Sequence, residues 1–527
     1  MQVNKQLISA IEVLSHWPRF RLRLFLEGIF VGIASGSIIS LFRFLLEHGT
    51  IYREYLYAHV LINGSLGINV VWFMGLLGAA GLLWRLGVYE PNAGGSGIPQ
   101  VKGVILGAVR MRWFRILWVK LVSGIVGIGL GLSLGREGPS IQIGAVAAQG
   151  LSRGLRRTRM EERYLITAGA SAGLAAAFNA PLAGVVFALE ELHRNFSGAV
   201  LAPAMAAALL STAVCRLVFG RETIFHFGTL PVLPLSYIWI AVILGVIIGI
   251  GGRIFNACLL NTHLFYELPI FRNGYMRIAF ALCTAGVLGY VFPQVLGGGN
   301  ELINQLHAMP LSLQLFVALL AVKLLFTLVS YGCGVPGGFF LPMLVLGALM
   351  GGVTGIIFIH FGIISSYYFS NIIVISMAAF FAASVQSPIT GTILIMEMTG
   401  SYEHLLVLCT ASMVALVVSQ VLKGEPIYDT LLHRSLAKSK PEIPPSERRN
   451  LMELTVASGS PVDGKYIRRI AWPKHVVLID IKRSSGEVLP DFDTRLYAGD
   501  YIYVLTDSVE AAENIRNLVE LSEPKNA

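Results

Sequence analysis

Residues 119–145 read VKLVSGIVGIGLGLSLGREGPSIQIGA, and residues 322–348 read VKLLFTLVSYGCGVPGGFFLPMLVLGA. With Val119-Lys120-Leu121 set on Val322-Lys323-Leu324 and one register kept, Gly135 falls on Gly338, Pro139 on Pro342, and Gly144-Ala145 on Gly347-Ala348. After a small slip of register, Pro181, Gly184 and Glu190 fall on Pro388, Gly391 and Glu397. Chance matches between apolar segments come singly, not as an ordered series. Two halves that share breakpoints are the mark of a transporter built from repeats, with its site where the breaks meet. Matching alone leaves open whether the halves are parallel or inverted.

The surroundings of these stretches name the solvent. Apolar runs recur from Leu24 to Val421 in a chain of 527 residues, 55% of them hydrophobic and 13% charged, with a mean hydropathy of +0.68. A soluble domain carries about 25% charged residues, so the deficit points to a bilayer. Met1 to Arg23 is polar and basic and lacks a small-residue cleavage site, so no cleavable signal is expected and the first helix serves as an anchor. Gly and Pro cut several apolar pieces, at 94–99, 135–139, 181–184, 334–342 and 388–391, below the roughly 20 residues that a helical span requires. Broken backbone at membrane depth is tolerated only where it lines a protein-enclosed cavity. A polar pathway inside the membrane follows.

The formal net charge of +9 does not call for nucleic acid. The basic residues cluster at Arg19, Arg21 and Arg23 and at Arg153, Arg156, Arg157, Arg159 and Arg163, which the positive-inside rule assigns to the cytoplasm. The five cysteines (Cys215, Cys258, Cys283, Cys333 and Cys409) sit in apolar segments without a CxxC pair and read as buried free thiols. The organisation expected is a cytoplasmic N-terminal helix over 1–22, a membrane region over 23–436 with repeats at about 23–220 and 234–435, a linker over 437–447 containing PEIPP, and a soluble domain over 448–527. In the tail, alternating runs at Leu451–Val456, His475–Ile481 and Tyr501–Leu505 predict strands, and Gly464–Ile470 and Ser508–Leu521 predict helices.

Three breaks carry a common chemistry. GGSGIP at 94–99, GREGP at 135–139 and GGFFLP at 337–342 each place glycines beside a helix-starting proline. A half-helix that begins at such a break turns unpaired N–H groups and a positive dipole end into the cavity, which suits an anion. A single break of this kind would be read equally well as a packing kink; three of them, two repeat-related, favour an anion site.

GSGIP at 95–99, GREGP and GGFFLP, with GASAGLAAAFNAPLAGVVFALEE at 169–191, resemble the signature motifs of the CLC chloride channel and transporter family, over about residues 20–435. The resemblance implies an all-α polytopic membrane protein, a CLC-type inverted repeat with broken and re-entrant helices. It further implies a homodimer with one anion pathway per subunit. It assigns chloride binding to the Ser96 hydroxyl, to backbone N–H groups of Phe339 and Phe340, and to the Tyr428 hydroxyl. Serine at position 96 accompanies chloride preference in the family and proline accompanies nitrate, consistent with the directed hydrogen bond a hydroxyl donates. Glu137 is implied as external gate and proton carrier, and Glu191 as internal proton-transfer acid, a position where passive channels usually lack an acid. Plain alternatives stand beside these roles: an N-cap for Ser96, a capping acid for Glu137, solvated charge for Glu191 and an interfacial aromatic for Tyr428. Glu190 is the weaker acid, organising water or structure. Lys120 and Lys323 either bias the field toward anions or snorkel to an interface. The intact GREGP argues against the fluoride-exporting branch.

The tail resembles the TrkA-C type (RCK C-terminal) domain through Gly459–Gly464, Leu489-Pro490 and LYAGDYIYVL at 496–505. A small α+β soluble C-terminal domain, regulatory or dimer-stabilising, is expected, with any ligand unidentified. The leading functional reading is a chloride/proton antiporter in a bacterial inner membrane, both termini cytoplasmic. The alternative is a passive gated chloride channel on the same fold, and a membrane sensor comes third. Chloride and protons are the expected partners, with no cofactor, no metal and no nucleic acid. An enzyme is not expected, since no HExxH, GK[ST] loop or Ser-His-Asp constellation stands out.

Overall fold

The computed structural model describes residues 2–194, 198–228, 230–438, 450–474, 476–483, 486–488, 490–506 and 509–520. The chain divides into two compact units, Met1–His433 and Arg434–Ala527. The expected linker at 437–447 lies mostly outside the described residues.

The first unit winds through one series of helices twice. The first pass comprises α1 (Gln2–Tyr55), α2 (Leu66–Tyr89), α3 (Ile98–Ile105), α4 (Trp113–Gly129), α5 (Glu137–Gly154), α6 (Arg159–Phe178), α7 (Pro181–Phe187) and α8 (Gly198–Phe219). The second comprises α9 (Ile238–Leu260), the short α10 (Thr262–Tyr266), α11 (Gly274–Val291), α12 (Asn300–Leu306), α13 (Leu313–Gly332), α14 (Phe340–His360), α15 (Phe369–Val385), α16 (Pro388–Thr399) and α17 (Leu405–Val421). The helix α18 (Ile427–Lys438) follows. Among the described residues, nine helical segments are long and apolar enough to cross a membrane. The helix α1 runs without a break from Gln2, so the polar N-terminus and the first apolar run form one helix.

The breaks have local causes that recur in both passes. Asn179 and Gln386 take left-handed backbone (φ 55° and 63°) and end α6 and α15. Pro181 and Pro388, each two residues later, open α7 and α16 as first-turn prolines. The helices α5 and α6 then pack backbone on backbone: a Cβ on Gly144 would lie 2.1 Å from the Gly169 carbonyl oxygen. Small residues permit this approach where lipid supplies no hydrophobic drive between helices.

The repeats are inverted, and a few contacts reveal it. The 18 residues of α5 span about 27 Å at 1.5 Å per residue. Its start lies beside Arg136 and Glu47, which pair at 3.0 Å, and its end beside the basic loop, where Arg153 pairs with Glu162 at 3.1 Å. The C-terminal end of α3 and the start of repeat-related α12 lie at opposite ends of that length. A Cβ on Gly107, just after α3, would lie 2.6 Å from the Arg163 guanidinium. Asn300 and Glu301 of α12 instead line a cavity of about 570 Å³ with Glu47 and Arg136. Arg23 lies on the face of the second basic cluster, since it pairs with Glu161 at 3.4 Å and Arg157 pairs with Glu27 of α1.

The acids at the ends of α7 and α16 cap each other's helices. Glu190 accepts from the Thr390 N–H at 2.7 Å and the Ile389 N–H at 3.3 Å. Glu397 accepts from the Ala183 N–H at 2.8 Å and the Leu182 N–H at 3.2 Å. A carboxylate on a partly buried helix N-terminus contributes up to ~2 kcal/mol, so Glu190 is bound to structure. Lys120 and Lys323 do not snorkel. Both are fully buried, and Lys120 donates to the carbonyls of Ala93 and Gly95 at 2.9 and 2.7 Å. Lys323 donates to those of Val295 and Gly297 at 2.8 and 2.9 Å. Each lysine thus holds the unwound carbonyls of a broken segment, and Gly297-Gly298-Gly299 emerges as the counterpart of Gly95-Ser96-Gly97. All five cysteines are free, but only Cys215 and Cys333 are buried; Cys409 is exposed on α17, whose apolar surface does not all turn inward.

The second unit has the antiparallel strands β1 (Asn450–Thr455), β2 (Val476–Arg483), β3 (Gly486–Val488) and β4 (Tyr501–Thr506), in sheet order β1-β4-β2-β3. The helix α19 (Val509–Glu520) sends Ile515 and Val519 into a core with Leu454, Ile481, Ile502 and Val504. The predicted helix over 464–470 forms only a 3-10 turn at Ile467–Arg469. Its backbone bonds instead to the 494–496 segment, Ile467 N–H to the Thr494 carbonyl and Gly464 N–H to that of Leu496. Tertiary pairing has overridden local preference there. In LYAGDYIYVL, buried Asp500 accepts two bonds from Arg483, at 2.8 and 2.7 Å, and one from the Tyr497 N–H at 2.9 Å.

Candidate ion-binding and proton-transfer site

The three glycine-proline breaks meet through backbone hydrogen bonds. Gly135 and Gly338, equivalent in the two repeats, exchange N–H to carbonyl bonds at 2.6 and 2.9 Å as an isolated antiparallel bridge. The Gly337 N–H donates to the Gly95 carbonyl at 3.0 Å. The starts of α5 and α14 are thereby locked together next to the segment that opens α3.

Glu137 is the first residue of α5 and is wholly buried. Its carboxylate lies beside the backbone N–H groups of Arg136, Glu137 and Leu341, yet neither oxygen has a hydrogen-bond partner of good geometry among the described residues. It folds over Gly135, where a Cβ would come 2.1 Å from Oε2, so only glycine leaves it room. A carboxyl group rests on the amide ends of two repeat-related helices, without a hydrogen-bond partner of good geometry among the described residues.

Ser96 is buried, and its backbone packs against α5, where a Cβ on Gly138 would lie 2.6 Å from the Ser96 carbonyl oxygen. Its Oγ accepts from the Ile98 N–H at 3.3 Å. That capping bond occupies a lone pair and leaves the hydroxyl proton free to donate. Tyr428, at the start of α18, is also fully buried, and its hydroxyl has no hydrogen-bond partner among the described residues. It is no interfacial aromatic. The Phe339 ring stacks on it at 5.3 Å, and the Phe187 ring meets it edge-on at 6.5 Å. Tyr331, 5.0 Å from Phe339, continues this aromatic wall to Gly95. Phe340 packs on Phe178, Phe187 and Phe381. An unpaired buried hydroxyl costs about 1–3 kcal/mol, which an acceptor from the pathway would remove.

Glu191 lies in the π-helical turn Ala188–His193 that continues α7, on the basic-loop face, where His193 bonds to Thr167 of α6 at 3.1 Å. It is 2% exposed, not solvated. Lys102 donates to its Oε1 at 2.8 Å and Ser387 to its Oε2 at 3.1 Å. Asp429 pairs with both Lys102 and Arg194. Tyr428 lies within electrostatic reach of both Glu191 and Glu137. Lys102, Asp429, Arg194 and Ser387 were not singled out from sequence. The available signal was a lone lysine in the apolar run IPQVKGVIL at 98–106 and an acid directly after Tyr428. Among the described residues no group of three or more His, Cys, Asp or Glu could hold a metal ion.

Comparison with known proteins agrees with this architecture. Residues 78–420 match the family described as Voltage gated chloride channel, and residues 451–518 match the TrkA-C domain. The H(+)/Cl(-) exchange transporter ClcA of Salmonella paratyphi B is 35% identical over 366 residues, 67% of this chain and 76% of that protein. The same protein of Salmonella newport matches equally. Among solved structures, a slow cyanobacterial Cl⁻/H⁺ antiporter superposes with a TM-score of 0.75 at 30% identity, over 79% of this chain and 99% of that one. A eukaryotic CLC transporter shares the fold, with a TM-score of 0.65 at 20% identity, over 96% of this chain and 90% of that one. With its membrane medium, inverted repeat and converging breaks established, the chain belongs to the voltage-gated chloride channel (CLC) family of integral membrane transport proteins and carries a C-terminal TrkA-C domain.

Proposed function

We propose that the protein is a secondary active antiporter that moves chloride against protons, with Glu137 as external gate and Glu191 as internal proton-transfer acid. The observation that carries the reading is the Glu137 carboxylate, buried on the amide ends of α5 and α14 without a hydrogen-bond partner of good geometry among the described residues. Ionised, it occupies a place suited to an anion; protonated, it loses its hold on the helix ends and yields to chloride. Glu191 lies on the opposite, basic-loop face, which the positive-inside rule makes cytoplasmic. Chloride on this reading meets the Ser96 and Tyr428 hydroxyls and the N–H groups of Phe339 and Phe340. The names of the relatives, H(+)/Cl(-) exchange transporter and Cl⁻/H⁺ antiporter, support the same choice. The protein acts as a homodimer with cytoplasmic termini in a bacterial inner membrane, and the TrkA-C domain is a regulatory or dimer-stabilising module.

A passive gated chloride channel is the second reading, and the Lys102–Glu191 ion pair favours it, because it gives the acid a structural partner at 2.8 Å. Purified protein in chloride-loaded liposomes, given a chloride gradient but no pH gradient, separates the two. Proton movement opposite to chloride and against its own gradient is expected; fast chloride flux without it would leave a channel.

The Ser96 assignment has its own test. Ser96→Pro removes the hydroxyl donor, and the nitrate-to-chloride transport ratio should rise about five-fold, the equivalent of about 1 kcal/mol for one hydrogen bond. An unchanged ratio in anion-exchange assays would take Ser96 out of the site.

A further inference from the structure

Lys102 carries a charge that the transport scheme above does not use. It lies in α3, 2% exposed, with one ammonium group between two carboxylates: it bonds to Glu191 at 2.8 Å and pairs with Asp429. The other groups facing Glu191 come from three elements. Ser387 precedes α16 and donates to Oε2, Arg194 ends the turn that carries Glu191 and pairs with Asp429, and Tyr428 lies within electrostatic reach. With every member ionised, the cluster balances, Lys102 and Arg194 against Glu191 and Asp429. When Glu191 takes a proton, both cations face Asp429 alone, and the ammonium has reason to leave Glu191. Asp429 directly follows Tyr428 in the first turn of α18. The side chain that would feel the proton is therefore tied to the backbone that aims the inner hydroxyl.

We propose that Lys102 is a positioning residue shared between Glu191 and Asp429, which passes the protonation of Glu191 to the turn of α18 bearing Tyr428. The inference rests on the reading of Glu191 as proton-transfer acid and Tyr428 as chloride ligand. With Glu191 ionised, Lys102 bonds to both acids; on proton arrival it leans on Asp429 and shifts Tyr428 relative to the pathway. Proton and chloride steps are thereby linked at the inner face by one cation.

The test is the internal pH at which coupled exchange is half-maximal in liposomes, for wild type, Lys102→Gln, Lys102→Arg, Asp429→Asn and Glu191→Gln. Lys102→Gln leaves two carboxylates without their shared cation, so Glu191 takes a proton more readily and the half-maximum should move to about ten-fold lower proton concentration. Asp429→Asn gives the lysine to Glu191 alone, and the half-maximum should move about ten-fold the other way. Lys102→Arg keeps the cation and should stay near wild type. A merely structural lysine would lower all fluxes together; shifts that are absent or share one direction overturn the proposal. If Lys102→Gln does not fold, the acid shift in Asp429→Asn with none in Lys102→Arg still decides. If Glu191→Gln itself keeps proton counter-transport, the reading of Glu191 falls and this proposal with it. If it loses protons while the opposed shifts are missing, only the sharing of Lys102 falls.

Discussion

Glu191→Gln is expected to leave chloride flux in place while proton movement falls about 100-fold or more, the scale on which a positioned acid contributes to proton transfer. Glutamine keeps the shape of the side chain; its carbonyl oxygen can accept from Lys102 as Oε1 now does, and its NH2 can donate to the Ser387 hydroxyl that now donates to Oε2, so the inner end of α7 has no reason to unfold. What it lacks is a proton that can leave. The cation remains paired with Asp429, which avoids the cost of an uncompensated buried charge. Simultaneous recording of pH and chloride in proteoliposomes checks this. Coupled exchange surviving in the variant would remove Glu191 from the proton route and redirect attention to His193 and Asp429 on the same face.

Glu137→Ala should have the opposite signature at the other end of the pathway. Removing the carboxylate removes both the resident anion and the proton carrier. Chloride should then pass without protons, and its rate should be flat across the pH range over which the wild-type rate varies. The geometry supports a large effect because, among the described residues, no hydrogen bond of good geometry holds the carboxylate in place. Arg136, its neighbour, keeps its pairing with Glu47 at 3.0 Å, so the mouth of the cavity should persist. Chloride efflux against pH is the measurement, and a variant that stayed pH-dependent would mean that another group is the gate.

Several features of this protein were legible in the one-dimensional pattern because their causes are local. Hydropathy over tens of residues named the bilayer. Pro139, Pro181, Pro342 and Pro388, with the glycines beside them, marked the breaks, since proline and glycine act on their own backbone. The shared order of those breaks exposed the repeat, and GREGP carried Glu137 to the start of a helix. The counterpart of GSGIP went unseen, because Gly298 stands where Ser96 does and no proline follows. The 464–470 stretch had a helical pattern that pairing with 494–496 cancelled.

Only the tertiary structure decided which way the repeats run and what the charged residues do. The exchange of bonds between Gly135 and Gly338, and of caps between Glu190 and Glu397, joins residues some two hundred positions apart. Lys120 and Lys323 could be found by alignment, but that each ties down two unwound carbonyls instead of reaching for an interface required the fold. Lys102 shows the division most sharply. Its charge in an apolar run could be read from sequence, whereas its position between Glu191 and Asp429 could not. Buried charge is stable only with partners, and which partners it finds is set by chain segments that sequence proximity does not connect.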